Sequence, residues 1–176
     1  YSLRNAKQEL VPAAVEDMKN GPSACKSFMA QLATLLLHRM HTCGKPLAMV
    51  SMDNCSHNGA KLQGAIMEFV DAWKKNGQIS DEEYAYLTEK VSFPWSMIDK
   101  ITPRPAPEIA DQLEADGLED MHPFVTSKNT YIAPFVNAER PQYLVIENDF
   151  PNGRPALDKA GSNFTDRDTV NRVDMM

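Results

Sequence analysis

The chain has 176 residues, of which 43% are hydrophobic, and its formal net charge is -6. This length and composition predict a globular domain, and because the sequence has neither a long apolar run nor a signal-peptide pattern, we expect a cytoplasmic protein with no membrane partner. The negative charge, without any basic cluster, argues against a nucleic-acid partner.

Two helices are predicted in the first part of the chain. Pro12 can open and Gly21 can close a short helix from Leu10 to Asn20. A second helix is predicted from Ser23 to Thr42, with Ser23 as its N-cap and Gly44 just past its end. Its expected apolar face consists of Phe28, Leu32, Leu35 and Leu36.

The stretch from Leu47 to Met52 is almost continuously apolar and has polar or turn-forming residues on both sides. Such a run predicts a strand covered on both faces, as in a parallel sheet. In an open parallel sheet, ligands bind beyond the carboxyl ends of the strands. We therefore expect a binding site at the polar residues that follow, which are Asp53, Asn54, Ser56, His57 and Asn58.

Two further helices are predicted after this strand. The first extends from about Gly59 to Lys75, with Gly77 as its C-cap. Its apolar face is Leu62, Ile66, Phe69, Val70 and Trp73. The second begins at Ser80, which has capping-box spacing to Glu83, and ends near Lys90. The order helix, strand, helix, helix is typical of an α/β fold with a doubly wound sheet.

From Val91 to Pro107 the sequence contains four prolines and predicts a shaped loop with short extended pieces. A helix from Pro107 to Ala115 follows. Extended segments are predicted from Phe124 to Val136 and from Gln142 to Ile146. After a turn-rich segment, the start of another helix is expected from about Asp168.

Several polar residues allow both a chemical and a structural interpretation. Asp53 and Asn54 could bind a ribose or an amide, or could form a turn or helix cap. His57 could be a general base or a surface residue. The three cysteines and four histidines show no metal-ligand spacing, so we predict buried, reduced thiols and no metal site.

Two pairs in the second half of the chain are equally open. Asp99 and Lys100 could act as a catalytic acid and base, or could form a structural ion pair. Glu147 and Asn148 follow a predicted strand, so they could enter the crevice or remain turn residues in solvent.

Three blocks of sequence resemble the mannitol dehydrogenase family, the long-chain polyol dehydrogenases. The blocks are MVSMDNCSHNG (49–59), FPWSMIDKITP (93–103) and VIENDFPNGRP (145–155). The middle block is similar to the family signature, with Ile98, Asp99 and Lys100 where that signature usually has Val-Asp-Arg. Mannitol-type members carry Asn where this chain has Trp95, and commonly Asp where it has Asn148.

The resemblance implies the later part of a Rossmann-type nucleotide-binding domain from a metal-independent, NAD-dependent oxidoreductase. It implies that Ser51, Asp53 and Asn54 contact NAD. The implied substrate contacts are Trp95, Asp99, Lys100, Glu147 and Asn148. Because an indole offers one N–H donor and no acceptor, a substrate contact by Trp95 favours a keto-sugar acid such as fructuronate. The alternative for Trp95 is a structural role, with the indole packed beside Phe93 and Met97 or with only its main chain involved. Mannitol or another polyol is the alternative substrate.

The resemblance also implies that parts of the catalytic apparatus lie outside this chain. The family's Gly-rich dinucleotide loop would precede Tyr1, and its Lys-x4-Asn-x2-His motif, with the catalytic lysine, would begin just after Met176. We therefore expect residues 1–176 to form a partial N-terminal NAD-binding domain, inactive alone, without the C-terminal helical catalytic domain.

Two interpretations from other functional classes remain open. The chain could be a small non-catalytic α/β module that binds a ligand at the crevice near Asp53. It could also be a structural piece that pairs with another chain, which a stable dimer in light scattering would support. A Gly-rich loop upstream and the lysine motif downstream would favour the dehydrogenase.

Overall fold

The computed structural model describes residues 1–99, 104–136 and 144–174. The chain forms two compact units, the first made of Tyr1–Ile98 and Tyr143–Met176 and the second of Asp99–Gln142. The described residues form six α-helices: α1 (Pro12–Asn20), α2 (Phe28–Cys43), α3 (Asn58–Lys75), α4 (Asp81–Glu89), α5 (Pro107–Ala115) and α6 (Arg167–Asp174). Their strands are β1 (Leu47–Ala48), β2 (Val91–Ser92), β3 (Ser96–Met97), β4 (Phe124–Val125), β5 (Tyr131–Ile132), β6 (Val145–Glu147) and β7 (Asn163–Thr165).

The first unit contains a short parallel sheet of two strands. In it, β1 pairs with β2, with Leu47 opposite Val91 and Ala48 opposite Ser92. The predicted parallel pairing is therefore confirmed, but the strand predicted from Leu47 to Met52 is shorter than expected and ends at Ala48. The predicted burial on both faces is wrong, because β1 is half-buried and, among the described residues, pairs only with β2.

A second sheet in the same unit has β6 at its centre. β6 is antiparallel to β3, with Ser96 opposite Ile146, and parallel to β7, with Glu147 opposite Thr165. All three residues of β6 are buried, which fits the predicted extended segment. β7 was not predicted, since Asn163 to Thr165 has no apolar pattern of its own.

The hydrophobic core of the first unit forms where α3 packs against α1, α2 and α4. The predicted apolar face of α3 is confirmed, since all five of its side chains are buried: Leu62, Ile66, Phe69, Val70 and Trp73. The Trp73 indole N–H donates to the main-chain oxygen of Asp17 at 2.9 Å. The predicted capping box is also present, with Ser80 and Glu83 each accepting from the other's main-chain N–H.

Helix α2 begins later than predicted. Its N-cap is Ser27, whereas Ser23 lies in a 3-10 turn of residues Pro22–Ala24. The buried Asp17 carboxylate fixes this start, because it accepts the main-chain N–H groups of Lys26 at 2.9 Å and Ser27 at 2.7 Å. The predicted face is also partly wrong, because Phe28 and Leu35 are exposed. The buried face is Met29, Ala30, Ala33, Leu36 and Leu37.

The second unit contains α5 and a hairpin of β4 and β5. Pro107 opens α5 at its first turn, as predicted. In the hairpin, Phe124 pairs with Ile132 and Val125 with Tyr131. Throughout the described residues, no helix is both long and apolar enough to cross a membrane.

The three cysteines are free thiols, but they are not buried as predicted. Cys43 is exposed, and Cys25 and Cys55 are only half-buried. The positions of two of these cysteines explain their exposure, since Cys43 ends α2 and Cys55 lies in the turn between β1 and α3.

Candidate functional site at the strand ends

Directly after β1, some polar side chains are buried and others are exposed. Ser51 is buried, and its hydroxyl is hydrogen-bonded to the Tyr1 hydroxyl. Asp53 is exposed, and its carboxylate accepts the main-chain N–H of Cys55 at 2.9 Å. That hydrogen bond lowers the pKa of Asp53, so the group is anionic at neutral pH. Asn54 is exposed beside it.

A cavity of about 510 Å³ lies beside Asp53, within the usual range of ligand pockets. Its lining includes Tyr1, Arg4, Asp53, Cys55, Lys61 and Gly64. Arg4 is paired with Glu68 at 3.0 Å. The cavity therefore presents an exposed carboxylate together with a lysine, both within the first unit.

Asn58 links the segment after β1 to the segment around β3. Its Nδ2 donates to the Asp53 carbonyl at 2.8 Å and to the Ser96 carbonyl at 2.9 Å. Its Oδ1 accepts the Ser96 main-chain N–H at 3.0 Å. The Ser96 hydroxyl in turn donates to the Ser51 carbonyl at 2.5 Å. Because Asn58 and Ser96 are both buried, these hydrogen bonds hold the two segments in one arrangement.

Gly59 allows α3 to start directly against the residues before β3. A Cβ atom on Gly59 would lie 2.5 Å from the Phe93 carbonyl oxygen and 2.8 Å from Cδ1 of Trp95. No larger residue fits there without movement of the main chain. His57, the N-cap residue of α3, adopts a left-handed conformation with φ of 57°, which turns the chain into the helix.

Trp95 is half-buried between two side chains that come from different elements. The His57 ring lies on it with a centroid distance of 4.5 Å, and the Arg167 guanidinium lies 5.2 Å from its centroid. Among residues 1–99, 104–136 and 144–174, none accepts a hydrogen bond from the indole N–H. Within the described part of the chain, Trp95 therefore offers an unused donor.

The carboxylate of Glu147 joins Trp95 to α6. It accepts the main-chain N–H of Trp95 at 3.0 Å and the Nε–H of Arg167 at 2.9 and 3.1 Å. Glu147 is buried. A buried charge is costly unless it is paired, and the ion pair with Arg167 balances the charge of Glu147. The next residue, Asn148, is exposed.

Hydrogen bonds connect four of the sequence-predicted site residues. Ser51 and Asp53 are linked through Asn58 and Ser96 to the main chain next to Trp95, which is linked to Glu147. Asp99 is exposed and belongs to the second unit, and Lys100 lies outside the described residues. In the part of the chain that the structure describes, no group of three His, Cys, Asp or Glu side chains could hold a metal ion.

Sequence reasoning missed Ser96 and Arg167. Ser96 is a small residue inside an irregular stretch, and Arg167 lies 20 residues from Glu147 in the sequence. No local pattern indicates that either of them contacts the residues that the sequence did suggest.

The short parallel strands, with polar side chains gathered at their carboxyl ends and helices packed beside them, define a nucleotide-binding type of α/β domain. The family model described as "Mannitol dehydrogenase Rossmann domain" matches residues 7–159. The chain belongs to this family, and the predicted family and Rossmann-type fold are confirmed.

Several relatives are similar along most of this chain. D-mannonate oxidoreductase of Thermotoga maritima is 46% identical over 178 residues, which cover 100% of this chain and 33% of that protein. D-mannonate oxidoreductase of Escherichia coli is 31% identical over 157 residues, covering 87% of this chain and 28% of that protein. The chain thus spans at most 33% of the length of these two curated relatives.

Two solved structures share the fold. A substrate-free D-sorbitol dehydrogenase has a TM-score of 0.60 and 27% identity over 94% of this chain and 31% of its own. Pseudomonas fluorescens mannitol 2-dehydrogenase, solved as a ternary complex with NAD and D-mannitol, has a TM-score of 0.56 and 27% identity, over 92% of this chain and 30% of its own.

Proposed function

We propose that this chain is part of an NAD-dependent oxidoreductase that transfers a hydride between the nicotinamide and a sugar acid, with fructuronate as the favoured substrate. The observation that carries the proposal is that the three sequence blocks meet in one place. Asn58 of the first block is bonded to Ser96 of the second, and Trp95 of the second is bonded to Glu147 of the third. Mannitol or another polyol is the alternative substrate.

The residues after β1 fit part of a dinucleotide. NAD supplies the hydride-carrying nicotinamide when it is bound. Asp53 is an exposed, ionised carboxylate next to a cavity, and such a group accepts hydrogen bonds from ribose hydroxyls. We propose that Ser51, Asp53 and Asn54 form this contact. The chain contains no Gly-x-Gly-x-x-Gly sequence, so the pyrophosphate is proposed to be held by residues outside it.

The residues around Trp95 are proposed to bind the substrate. The unused indole N–H suits a ligand oxygen that only accepts, such as a ketone or carboxylate. Asn148 is exposed and contacts the substrate, whereas Glu147 acts through Trp95, because both of its oxygens are already engaged. We also propose Asp99 and Lys100 as substrate contacts.

The proton is proposed to move through a lysine outside this chain. In a metal-independent enzyme, a lysine with a tuned pKa acts as the general acid or base, and N–H donors stabilise the developing oxyanion. Within this chain, Trp95 and Asn148 supply such donors. We further propose a cytoplasmic location, which the three free thiols support, since reduced cysteines are typical of that compartment.

The direct test is an assay of the full-length protein that carries this chain. Reduction of fructuronate with NADH should exceed oxidation of mannitol with NAD in kcat/KM, and NADPH should be tested beside NADH. Activity with neither substrate pair would contradict the proposed function. As a control, calorimetry of the 176-residue chain alone with NAD should give weak or no binding, whereas micromolar binding favours a separate binding module.

A further inference from the structure

A cleft of about 470 Å³ lies at the carboxyl ends of β6 and β7. Its lining residues are Glu147, Asn148, Phe164, Thr165, Asp166 and Arg167. The strands are parallel, so both end at this edge of the sheet, which is the place where α/β sheets bind ligands. Arg167 is the one cation among these lining residues.

Arg167 is anchored on its inner side. Its Nε–H donates to both oxygens of the Glu147 carboxylate, at 2.9 and 3.1 Å, and its guanidinium lies against the Trp95 ring. The Glu147 side chain is only 12% exposed, whereas that of Arg167 is 50% exposed. The ion pair therefore fixes the guanidinium in position while its outer edge remains in solvent.

The outer edge of this guanidinium has unused donors. Within the described residues, the two terminal nitrogens of Arg167 donate no hydrogen bond to the protein. The side-chain amide of Asn148, which is exposed in the same cleft, is likewise without a protein hydrogen bond in the described part of the chain. A ligand that enters the cleft thus meets a preorganised fork of N–H groups and one amide.

The two acidic side chains of the cleft are already engaged. Glu147 is paired with Arg167, and Asp166 caps α6 by accepting the main-chain N–H and the hydroxyl of Thr169, each at 2.8 Å. These hydrogen bonds lower the pKa of Asp166, and the positive end of α6 offsets its charge. Glu147 binds only the Nε–H of Arg167, so among the described residues no carboxylate is hydrogen-bonded to the two terminal nitrogens of Arg167.

We infer that Arg167 binds the carboxylate of the substrate and thereby selects sugar acids over uncharged polyols. A guanidinium has only donors, and its two parallel N–H groups match the two acceptor oxygens of a carboxylate. A polyol hydroxyl provides neither a negative charge nor a paired acceptor. This inference rests on the proposed function and extends it, because it assigns the acid selectivity to a residue outside the three sequence blocks.

The test uses the full-length protein and two ketone substrates, fructuronate and its uncharged counterpart fructose, both with NADH. Arg167→Met should lower kcat/KM for fructuronate by about 100-fold, mainly through KM, as expected for loss of one partner from a charged hydrogen-bonded pair. The value for fructose should change by less than about 3-fold. Arg172→Met, on the same helix, is the matched control and should leave both values unchanged.

Arg167→Lys separates charge from geometry and also covers the case in which the methionine variant does not fold. An ammonium group keeps the charge but not the planar fork, so kcat/KM for fructuronate should still fall about 10-fold relative to fructose. The KM for NADH should not change in either variant.

Three outcomes overturn the inference. Equal losses on fructuronate and fructose would mean that Arg167 only supports Trp95. A selective rise in the KM for NADH would assign Arg167 to a cofactor phosphate, and unchanged kinetics would remove it from the site. In all three cases the wild-type activity leaves the proposed function standing, whereas wild-type inactivity on both substrates would overturn the proposed function and this inference together.

Discussion

Asn58 and Ser96 are joined by three hydrogen bonds: Asn58 Nδ2 donates to the Ser96 carbonyl at 2.9 Å and to its Oγ at 3.0 Å, and Asn58 Oδ1 accepts the Ser96 N–H at 3.0 Å. Both residues are buried. Because Ser96 follows Trp95 and Asn58 also holds the Asp53 carbonyl, this pair joins the proposed cofactor side of the site to its proposed substrate side.

Replacing Asn58 tests how much this connection contributes. Asn58→Ala removes the partner of the buried main-chain N–H and carbonyl of Ser96, so it should lower the free energy of unfolding by about 2–4 kcal/mol. Chemical denaturation followed by tryptophan fluorescence measures this loss. Gln63→Ala, at an exposed position on the same helix, should change the free energy by less than about 0.5 kcal/mol. Equal effects of the two substitutions would show that the connection is dispensable.

Two glycines on α3 provide a matched pair of substitutions. Gly59→Ala places a Cβ 2.5 Å from the Phe93 carbonyl oxygen, so the main chain next to Trp95 must shift, and we expect a loss of about 1–3 kcal/mol or more. Gly64→Ala meets no atom within 4 Å and should stabilise the helix by about 0.5–1 kcal/mol. The two thermal melting temperatures should move in opposite directions. A Gly59→Ala protein as stable as wild type would contradict the close approach.

How far the sequence predicts this fold depends on the origin of each element's stability. Helix α3 and the capping box of α4 are determined by local periodicity and local hydrogen bonds, so they were predicted correctly. The start of α2 depends on a carboxylate from α1, that of Asp17, which local rules do not identify. Strand β7 has no apolar pattern of its own and forms through its pairing with β6.

In the candidate site, too, some residues could be predicted from the local sequence, whereas others depend on contacts between distant parts of the chain. Asp53 and Asn58 follow an apolar run, so the general rule for strand ends was enough to suggest them, whereas Ser51 was suggested by the family resemblance. The structure shows that Trp95 contacts His57 and Arg167, which come from distant parts of the chain. Arg167 could not be found from the sequence, because only the pairing of β6 with β7 places it beside Glu147.

Asp17 should make stability depend on acid pH. Burial raises its pKa, but hydrogen bonds from the side chain and main chain of Ser27 and from the Lys26 N–H outweigh burial and lower the pKa. A lowered folded-state pKa stabilises the protein above the unfolded-state pKa, and this contribution is lost as the pH falls through the folded-state value. Stability should therefore decline below about pH 4.

Asp17→Asn tests this dependence. At pH 7 it should cost about 2–3 kcal/mol of unfolding free energy, because charge-assisted hydrogen bonds are lost at a fully buried position. At about pH 3 the difference from wild type should shrink. Denaturation curves at both pH values measure it, with the exposed Glu89→Gln as the control. A difference that does not change with pH would mean that Asp17 acts by shape rather than by charge.

Trp95 should influence which substrate the full-length enzyme prefers. Trp95→Phe keeps an aromatic ring between His57 and Arg167 but removes the indole N–H. If that N–H contacts a substrate oxygen, kcat/KM for fructuronate should fall about 10-fold, as expected for the loss of one hydrogen bond. Trp95→Asn introduces an acceptor and should shift the preference toward mannitol. Should Trp95→Phe keep wild-type kinetics with both substrates, the indole serves only to pack between its two neighbours, and the argument for fructuronate from this residue fails even though the family assignment stands.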